Sequence, residues 1–141
     1  MALYAVVEAA SAVTSILKLD LTTTMTTQTV LAQHEVNVSG IETDGVDVYW
    51  STPGSLRKVP VGGGTVQSFG IPNMSACGGM DIDSTYLYCT ENSTGSVLQI
   101  PLADTAAHTV VTTATIMTGI AADCDFVYFG LGTGLNRLPR L

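Results

Sequence analysis

The sequence predicts an all-β fold built from repeated antiparallel sheets, and composition, self-similar segments and turn signals all support this prediction. Thr, Val and Ser are abundant among the 141 residues, and there are 14 glycines. Such a composition favours short strands joined by tight turns. Apolar residues make up 46% of the chain and charged residues 12%. Disordered chains need the reverse balance, so the composition indicates a folded protein with a substantial core.

The charge balance limits the classes of partner. Five Lys and Arg residues oppose twelve Asp and Glu residues, which gives a net charge of −7. Nucleic acids and anionic membranes bind cationic surfaces. The apolar runs are also shorter than the roughly 18 residues that a membrane-spanning helix needs. We therefore expect neither nucleic acid nor a membrane as a partner.

Three similar segments, about 40 residues apart, each predict the first two strands of a sheet, here called strands A and B. In each segment a Gly is followed four residues later by an Asp and nine residues later by a Tyr. These repeat positions are Gly40, Asp44 and Tyr49, then Gly79, Asp83 and Tyr88, then Gly119, Asp123 and Tyr128. A third strand, C, follows each Tyr and carries Pro60, Pro101 or Pro139. Its predicted bounds are Ser55 to Val61, Ser96 to Leu102 and Leu135 to Pro139. Thr-Val tails form a fourth strand, D.

A degenerate copy precedes these three, with Tyr4 in strand B and Ser15 at the start of strand C. The predicted order is strands B, C and D, then two sets of A to D, then A, B and C. We interpret the chain as a single domain, residues 1–141, with repeats of approximately 1–39, 40–78, 79–118 and 119–141. A repeat of about 40 residues with four antiparallel strands is typical of a β-propeller blade. The fold class is therefore about three and a half propeller blades.

The motifs resemble those of a known family. Gly-Ile-x-x-Asp from Gly40, Val-Tyr-Trp-Ser from Val48 and Leu-Arg-Lys-Val-Pro from Leu56 resemble the repeats of YWTD- and NHL-type β-propellers. They are still more similar to secreted bacterial propeller proteins with a "VYW…LxKVP…GG" blade. The similarity covers nearly the whole chain and implies an extracellular or periplasmic location. The pattern departs from the family in two respects. Trp50 is replaced by Cys89 and Phe129 in the later copies, and the final residue of the YWTD motif is never Asp.

The number of blades predicts an incomplete ring, because closed propellers usually have four to eight blades. Uncovered sheet edges and faces favour association. The chain is therefore interpreted as a fragment of a larger propeller or as a protomer that closes by self-association. The fragment is the favoured interpretation, because the predicted strands break within a blade at both ends. The expected partner is another protein, or a second copy, that completes the propeller.

The recurring Asp and Tyr residues are candidate site residues with a structural alternative. Asp44, Asp83 and Asp123 lie at one level and could bind a divalent cation, or each could accept hydrogen bonds from turn amides. The second interpretation is favoured, because a structural role predicts recurrence in every blade. The tyrosines could stack on a ligand, but a recurrent aromatic residue in strand B is more typical of packing between blades. No cofactor is implied.

The remaining reactive residues give no catalytic pattern. His34 and His108 do not occupy matching repeat positions and are predicted to be surface residues near D strands. Cys77, Cys89 and Cys124 contain no C-x-x-C spacing. A Cys77–Cys89 bond across the strand A–strand B hairpin requires a shift of register or a bulge.

The N-terminal segment is predicted to be a strand, although part of it matches the pattern of a signal peptide. Ala10-Ser11-Ala12 matches a cleavage pattern, but no Lys or Arg precedes it and Glu8 interrupts the apolar run. The sequence as a whole favours a non-enzymatic propeller segment that acts as a binding or scaffold module. Two alternatives stay open: part of a propeller enzyme of the lyase or lactonase type whose catalytic blades lie outside this chain, and a truncated reading frame without independent function.

Overall fold

The fold is all-β and contains 14 strands in the part of the chain that the structure describes. This structure is a computed structural model, and it describes residues 1–8, 14–21, 26–71, 74–91, 93–104, 109–113, 117–131 and 134–140. The strands are β1 (Ala2–Glu8), β2 (Thr14–Leu21), β3 (Thr26–Glu35), β4 (Ser39–Thr43), β5 (Asp47–Thr52), β6 (Ser55–Pro60), β7 (Gln67–Gly70), β8 (Cys77–Ile82), β9 (Tyr86–Glu91), β10 (Ser96–Pro101), β11 (Thr109–Thr113), β12 (Met117–Ala122), β13 (Phe126–Leu131) and β14 (Gly134–Pro139).

The strands form four antiparallel sheets in chain order, which confirms the prediction of a partial propeller. The first sheet is β1-β2-β3, the second β4-β5-β6-β7, the third β8-β9-β10-β11 and the fourth β12-β13-β14. The two inner sheets have all four strands. The first sheet has strands B, C and D, and the fourth has strands A, B and C, as the repeat predicts.

Three apolar layers hold successive sheets together. Between the first and second sheets the layer contains Ile16, Val48 and Trp50. Between the second and third sheets it contains Tyr49, Leu56, Cys77, Leu87 and Cys89. Between the third and fourth sheets it contains Tyr88, Val97, Val127 and Phe129. Each sheet therefore packs face to face on the next, as propeller blades do.

Alternation along strand B explains how one strand serves two layers. Successive side chains of a strand point to opposite faces. Tyr49 packs toward the third sheet, and Trp50, the next residue, packs toward the first. Tyr88 and Cys89 follow the same rule one sheet later. The Tyr of each repeat therefore faces the following sheet, and its neighbour faces the preceding sheet.

Strand A forms the inner edge of the array, where β4, β8 and β12 contact one another in turn. The repeated glycines allow this close approach. A Cβ atom at Gly79 would lie 3.3 Å from the Gly119 Cα atom, and one at Gly40, where φ is +66°, would lie 2.7 Å from the Met80 sulfur. Side chains at these positions would hold the innermost strands apart. No helix that is long and apolar enough to cross a membrane occurs among the described residues.

Candidate interaction surfaces

The three Asp–Tyr pairs of the repeat adopt one geometry. Asp44 Oδ1 accepts hydrogen bonds from the Val46 and Asp47 amides, at 2.8 and 2.7 Å, and Asp44 Oδ2 accepts one from the Tyr49 hydroxyl at 3.0 Å. Each carboxylate therefore closes the strand A–strand B turn and fixes the Tyr of the same hairpin. The same three bonds recur at Asp83 with Thr85, Tyr86 and Tyr88, and at Asp123 with Asp125, Phe126 and Tyr128.

The hydrogen bond between Tyr and Asp was not predicted, although the sequence contains a pattern that indicates it. The offset from Asp to Tyr is five residues in all three copies, a constant distance across one hairpin. The tyrosines do pack between sheets, but each hydroxyl also donates to the carboxylate. Across the third and fourth sheets, Arg140 joins one of these pairs: its Nη2 lies 2.8 Å from Asp83 Oδ2, and its Nε donates to the Tyr88 hydroxyl at 3.2 Å.

Hydrogen-bond donors lower the pKa of two of these carboxylates, Asp44 and Asp123. Burial raises the pKa of Asp44, but hydrogen bonds from the Asp47 and Val46 amides and from Tyr49 outweigh it, so that the pKa lies below its usual value. The pKa of Asp123 is lowered by the same kind of bonds. Within the described residues, no group of three or more His, Cys, Asp or Glu side chains is placed to hold a metal ion.

The prolines of the repeat end strand C at equivalent places. Pro60, Pro101 and Pro139 are the last residues of β6, β10 and β14. Each lies opposite the first residue of strand B in its own sheet. A proline lacks an amide hydrogen and is tolerated at a strand end, so these residues mark where pairing stops.

Side chains that face the following sheet are buried in the first three sheets and exposed in the fourth. Four residues of strand C each lie opposite the residue two places after the Tyr of strand B: Ile16, Leu56, Val97 and Leu135. The first three are 0% exposed, whereas Leu135 is 76% exposed. The surface around Leu135 also contains Ala121, Phe126, Tyr128, Gly130 and Arg137, by the pairing register. We call this surface the tail face.

Side chains that face the preceding sheet show the mirror arrangement. Leu3 in strand B of the first sheet corresponds to Val48, Leu87 and Val127 of the later sheets. Those three are at most 1% exposed, whereas Leu3 is 49% exposed. The surface around Leu3 also contains Ala5, Val7, Leu19 and Val30, by alternation and register; Leu17 points to the same face but is buried. We call this surface the head face.

The two faces are apolar, and each contains side chains that project into solvent. Val7 and Val30 of the head face are exposed, as is Leu135 of the tail face. A shallow depression of about 280 Å³ on the tail face is bordered by Gly119, Ala121, Tyr128, Gly130 and Leu135, together with parts of Ile120 and Phe129. The charged member of the tail face, Arg137, lies over the Phe126 ring at 4.4 Å from its centroid.

Two buried carboxylates lie away from these faces, and both have structural partners. Glu35 accepts hydrogen bonds from Trp50 Nε1 at 3.0 Å and from Arg57 Nη1 at 2.5 Å. Glu91, the last residue of β9, accepts hydrogen bonds from the amides and hydroxyls of Ser75, Ser93 and Thr94. Burial raises the pKa of Glu91, but these donors outweigh it and hold the pKa far below its usual value.

An open pocket of about 290 Å³ lies beside the Glu35–Arg57 pair. His34 and Asn37 border it, and both adopt positive φ angles, 62° and 51°. His34 is exposed in β3, a D strand. His108 lies outside the described residues, as does the Ala10-Ser11-Ala12 segment, whereas the residues before that segment form strand β1.

Two of the three cysteines form a disulfide. Cys77 and Cys89 are bonded and buried between the second and third sheets, and Cys124 is free and exposed. The pairing of β8 with β9 shifts between Cys77 and Gly79, so that Cys77 lies opposite Glu91 while Met80 lies opposite Cys89. This irregularity is the bulge that the bond required.

The fold defines a propeller-like array of sheets, and solved structures share it. A chain from the crystal structure of a nidogen/laminin complex matches with a TM-score of 0.69 and 16% identity over 84% of this chain. This chain spans about half, 51%, of that chain. The crystal structure of the computationally designed Ika4 protein matches with a TM-score of 0.71 and 14% identity, covering 96% of this chain and 84% of that one. No protein-family model matches the sequence, and no curated protein matches it significantly.

Proposed function

We propose that the chain is a non-enzymatic propeller segment that acts as a binding or scaffold module, and that its head and tail faces are the binding surfaces. One observation carries the proposal: Leu3 and Leu135 are exposed at repeat positions that are buried in every other sheet. End repeats that remain in water need a polar outer face. These ends keep leucine, so we infer that a partner covers them.

The binding role draws further support from the way the charged groups are used. Asp44, Asp83, Asp123 and Glu91 direct their oxygens at turn amides and hydroxyls of their own sheet or the neighbouring one. They therefore hold the scaffold in shape. The match to a chain from a nidogen/laminin complex supports the binding role by analogy, because that propeller-like chain is part of a protein complex.

We further propose that the module works outside the cytoplasm, as in the secreted propeller proteins with "VYW…LxKVP…GG" blades. The Cys77–Cys89 disulfide supports this location, because such bonds persist mainly in oxidising compartments. Maleimide labelling of the protein taken directly from its source cells tests the location. We expect one reactive thiol, Cys124, before reduction and three after it. Three reactive thiols before reduction would contradict an oxidising compartment.

Cross-linking at the two faces tests the binding role. The probe is the purified chain carrying a photo-reactive residue at position 3 or position 135, incubated with the proteins of its own compartment. We expect discrete cross-linked products at these positions. A matched control carries the label at the exposed Val46, in the β4–β5 turn. Products that form equally from the control position, or from none, would contradict the proposal.

A further inference from the structure

The head and tail faces are the two halves of a contact that the molecule makes three times internally. In each internal contact, the side chains after the Tyr positions of one sheet meet the Tyr face of the sheet before it. The tail face is the Tyr face of the fourth sheet, around Tyr128. The head face, around Leu3 and Ala5, is the first sheet's version of the surface beside the Tyr that faces the preceding sheet. Each end of the array therefore presents what the other end lacks.

We infer that the head face of one copy packs on the tail face of a second copy. This inference rests on the proposed binding role of the two faces and specifies the partner. Unlike faces meet in this contact, so it is heterologous, and two copies satisfy both faces if the array closes on itself. Two copies supply eight sheets, which lies within the four to eight blades of known propellers.

Side-chain chemistry also favours a second copy. The named head-face residues carry no charge, and the tail face contributes aromatic rings and Leu135 with one guanidinium that lies on Phe126. Packing aliphatic side chains against an aromatic surface reproduces the buried layer that contains Tyr49, Leu87 and Leu98. Burial of such surface is the main driving force for association.

Sedimentation equilibrium of the purified chain at about 1–100 µM tests the stoichiometry. We expect a mass twice that of the 14.7-kDa chain, reached without larger species because both faces are then covered. A monomer throughout this range would overturn the inference. So would an open-ended series of larger assemblies, because that result would show that two copies do not close.

Two single variants test the surfaces. Leu3→Arg places a charge in the head face, and Leu135→Arg places one in the tail face. Each should weaken dimerisation at least about 100-fold, because a buried unpaired charge opposes apolar burial. Val46→Arg, outside both faces, should dimerise as the wild type does. Circular dichroism and cooperative unfolding establish that each variant is folded. A folded Leu3→Arg or Leu135→Arg variant with wild-type dimerisation would overturn the inference.

Mixing the two variants separates a head-to-tail contact from a symmetric one. The Leu3→Arg chain keeps its tail face, and the Leu135→Arg chain keeps its head face. A mixture should therefore form a heterodimer through one intact contact, although each variant alone is monomeric. If the mixture stays monomeric, the head-to-tail geometry is wrong. If the wild-type chain is monomeric but still cross-links to another protein at position 3 or 135, the second-copy partner fails and the binding role stands.

Discussion

Strand B is buried on both sides in the two inner sheets, on one side in the fourth sheet, and only partly in the first sheet. In β5 and β9, all residues after the first are buried. In β13, Val127 and Phe129 are buried, whereas Tyr128 between them is half-buried, and β1 contains no fully buried residue. The same repeat therefore gives two environments, and the difference is the presence of a neighbouring sheet. The burial of a side chain in this fold therefore depends on whether a neighbouring sheet covers it.

The largest expected effect comes from comparing the same leucine-to-alanine substitution at one repeat position in an inner sheet and in an end sheet. Leu56→Ala should lower the free energy of unfolding by about 2–5 kcal/mol, because it leaves a cavity in the layer between the second and third sheets. Leu135→Ala should change it by less than about 0.5 kcal/mol, because that side chain is exposed. Urea unfolding in a Leu3→Arg background, which blocks the inferred dimer, measures both. Equal losses would remove the distinction between inner and end sheets.

Loss of the disulfide should come next. Replacing Cys77 and Cys89 by Ala should lower the free energy of unfolding by about 2–4 kcal/mol, because the bond restricts the unfolded chain. Cys124→Ser in the fourth sheet should have little effect. Thermal unfolding with and without reductant checks this, since reduction should destabilise the wild type and leave the double variant unchanged. A wild type that is insensitive to reductant would contradict the bond.

Glu91→Gln should cost about 1–3 kcal/mol at pH 7, because an amide cannot accept all the donors that surround the carboxylate. The pKa of Glu91 is lowered in the folded state, so its contribution is present above the ordinary value of 4.5 and is lost as the pH falls below it. The variant should therefore show a flatter dependence of stability on pH between pH 5 and pH 2. A parallel pH profile would show that Glu91 does not titrate as proposed.

A smaller effect is expected at the Asp–Tyr pairs. Asp83→Ala should cost about 0.5–2 kcal/mol, because two turn amides and the Tyr88 hydroxyl lose their acceptor. Asp123→Ala should lower the melting temperature less than Asp83→Ala does, because the Asp123–Tyr128 pair lies in an end sheet. Calorimetric titration with Ca²⁺ provides the control for the cation-binding alternative. Stoichiometric binding that disappears in either variant would favour a metal role for these residues.

The smallest expected effects concern glycines at the inner edge. Gly79→Ala should destabilise the chain modestly, because its new methyl group meets backbone atoms at 3.3 Å. Gly119→Ala should leave the monomer unchanged or stabilise it by about 0.4–1 kcal/mol. Urea unfolding of both variants, compared with the wild type, checks this pair of opposite signs.

Local repetition made most of the fold predictable. The fixed spacing of Gly40, Asp44 and Tyr49 in three copies predicted the hairpins, the number of sheets and the missing strands at both ends. Contacts between non-equivalent residues were not predictable in the same way. The disulfide depends on a bulge after Cys77, and the Glu35–Trp50 and Arg140–Asp83 contacts join distant parts of the chain. These depend on register and sheet packing, which residue spacing does not specify.

The existence of the two candidate surfaces could be predicted from the sequence, but the residues that form them could not. Counting strands predicted uncovered ends, but the leucines that distinguish them emerge only when equivalent positions are compared for burial. Leu135 by itself is an ordinary strand residue. It is distinctive only because the equivalent residues Ile16, Leu56 and Val97 are buried. The comparison across copies therefore supplies the information that a single copy lacks.

Amide hydrogen exchange at several protein concentrations tests the central claim most directly. The claim is that the end sheets lack a cover which a second copy supplies. We predict that β5 and β9 are strongly protected at every concentration, and that protection of β1 and β14 is weak in dilute solution and rises with concentration. In the Leu3→Arg variant, β1 and β14 should remain weakly protected throughout. Strong protection of all four strands that does not depend on concentration would contradict the account.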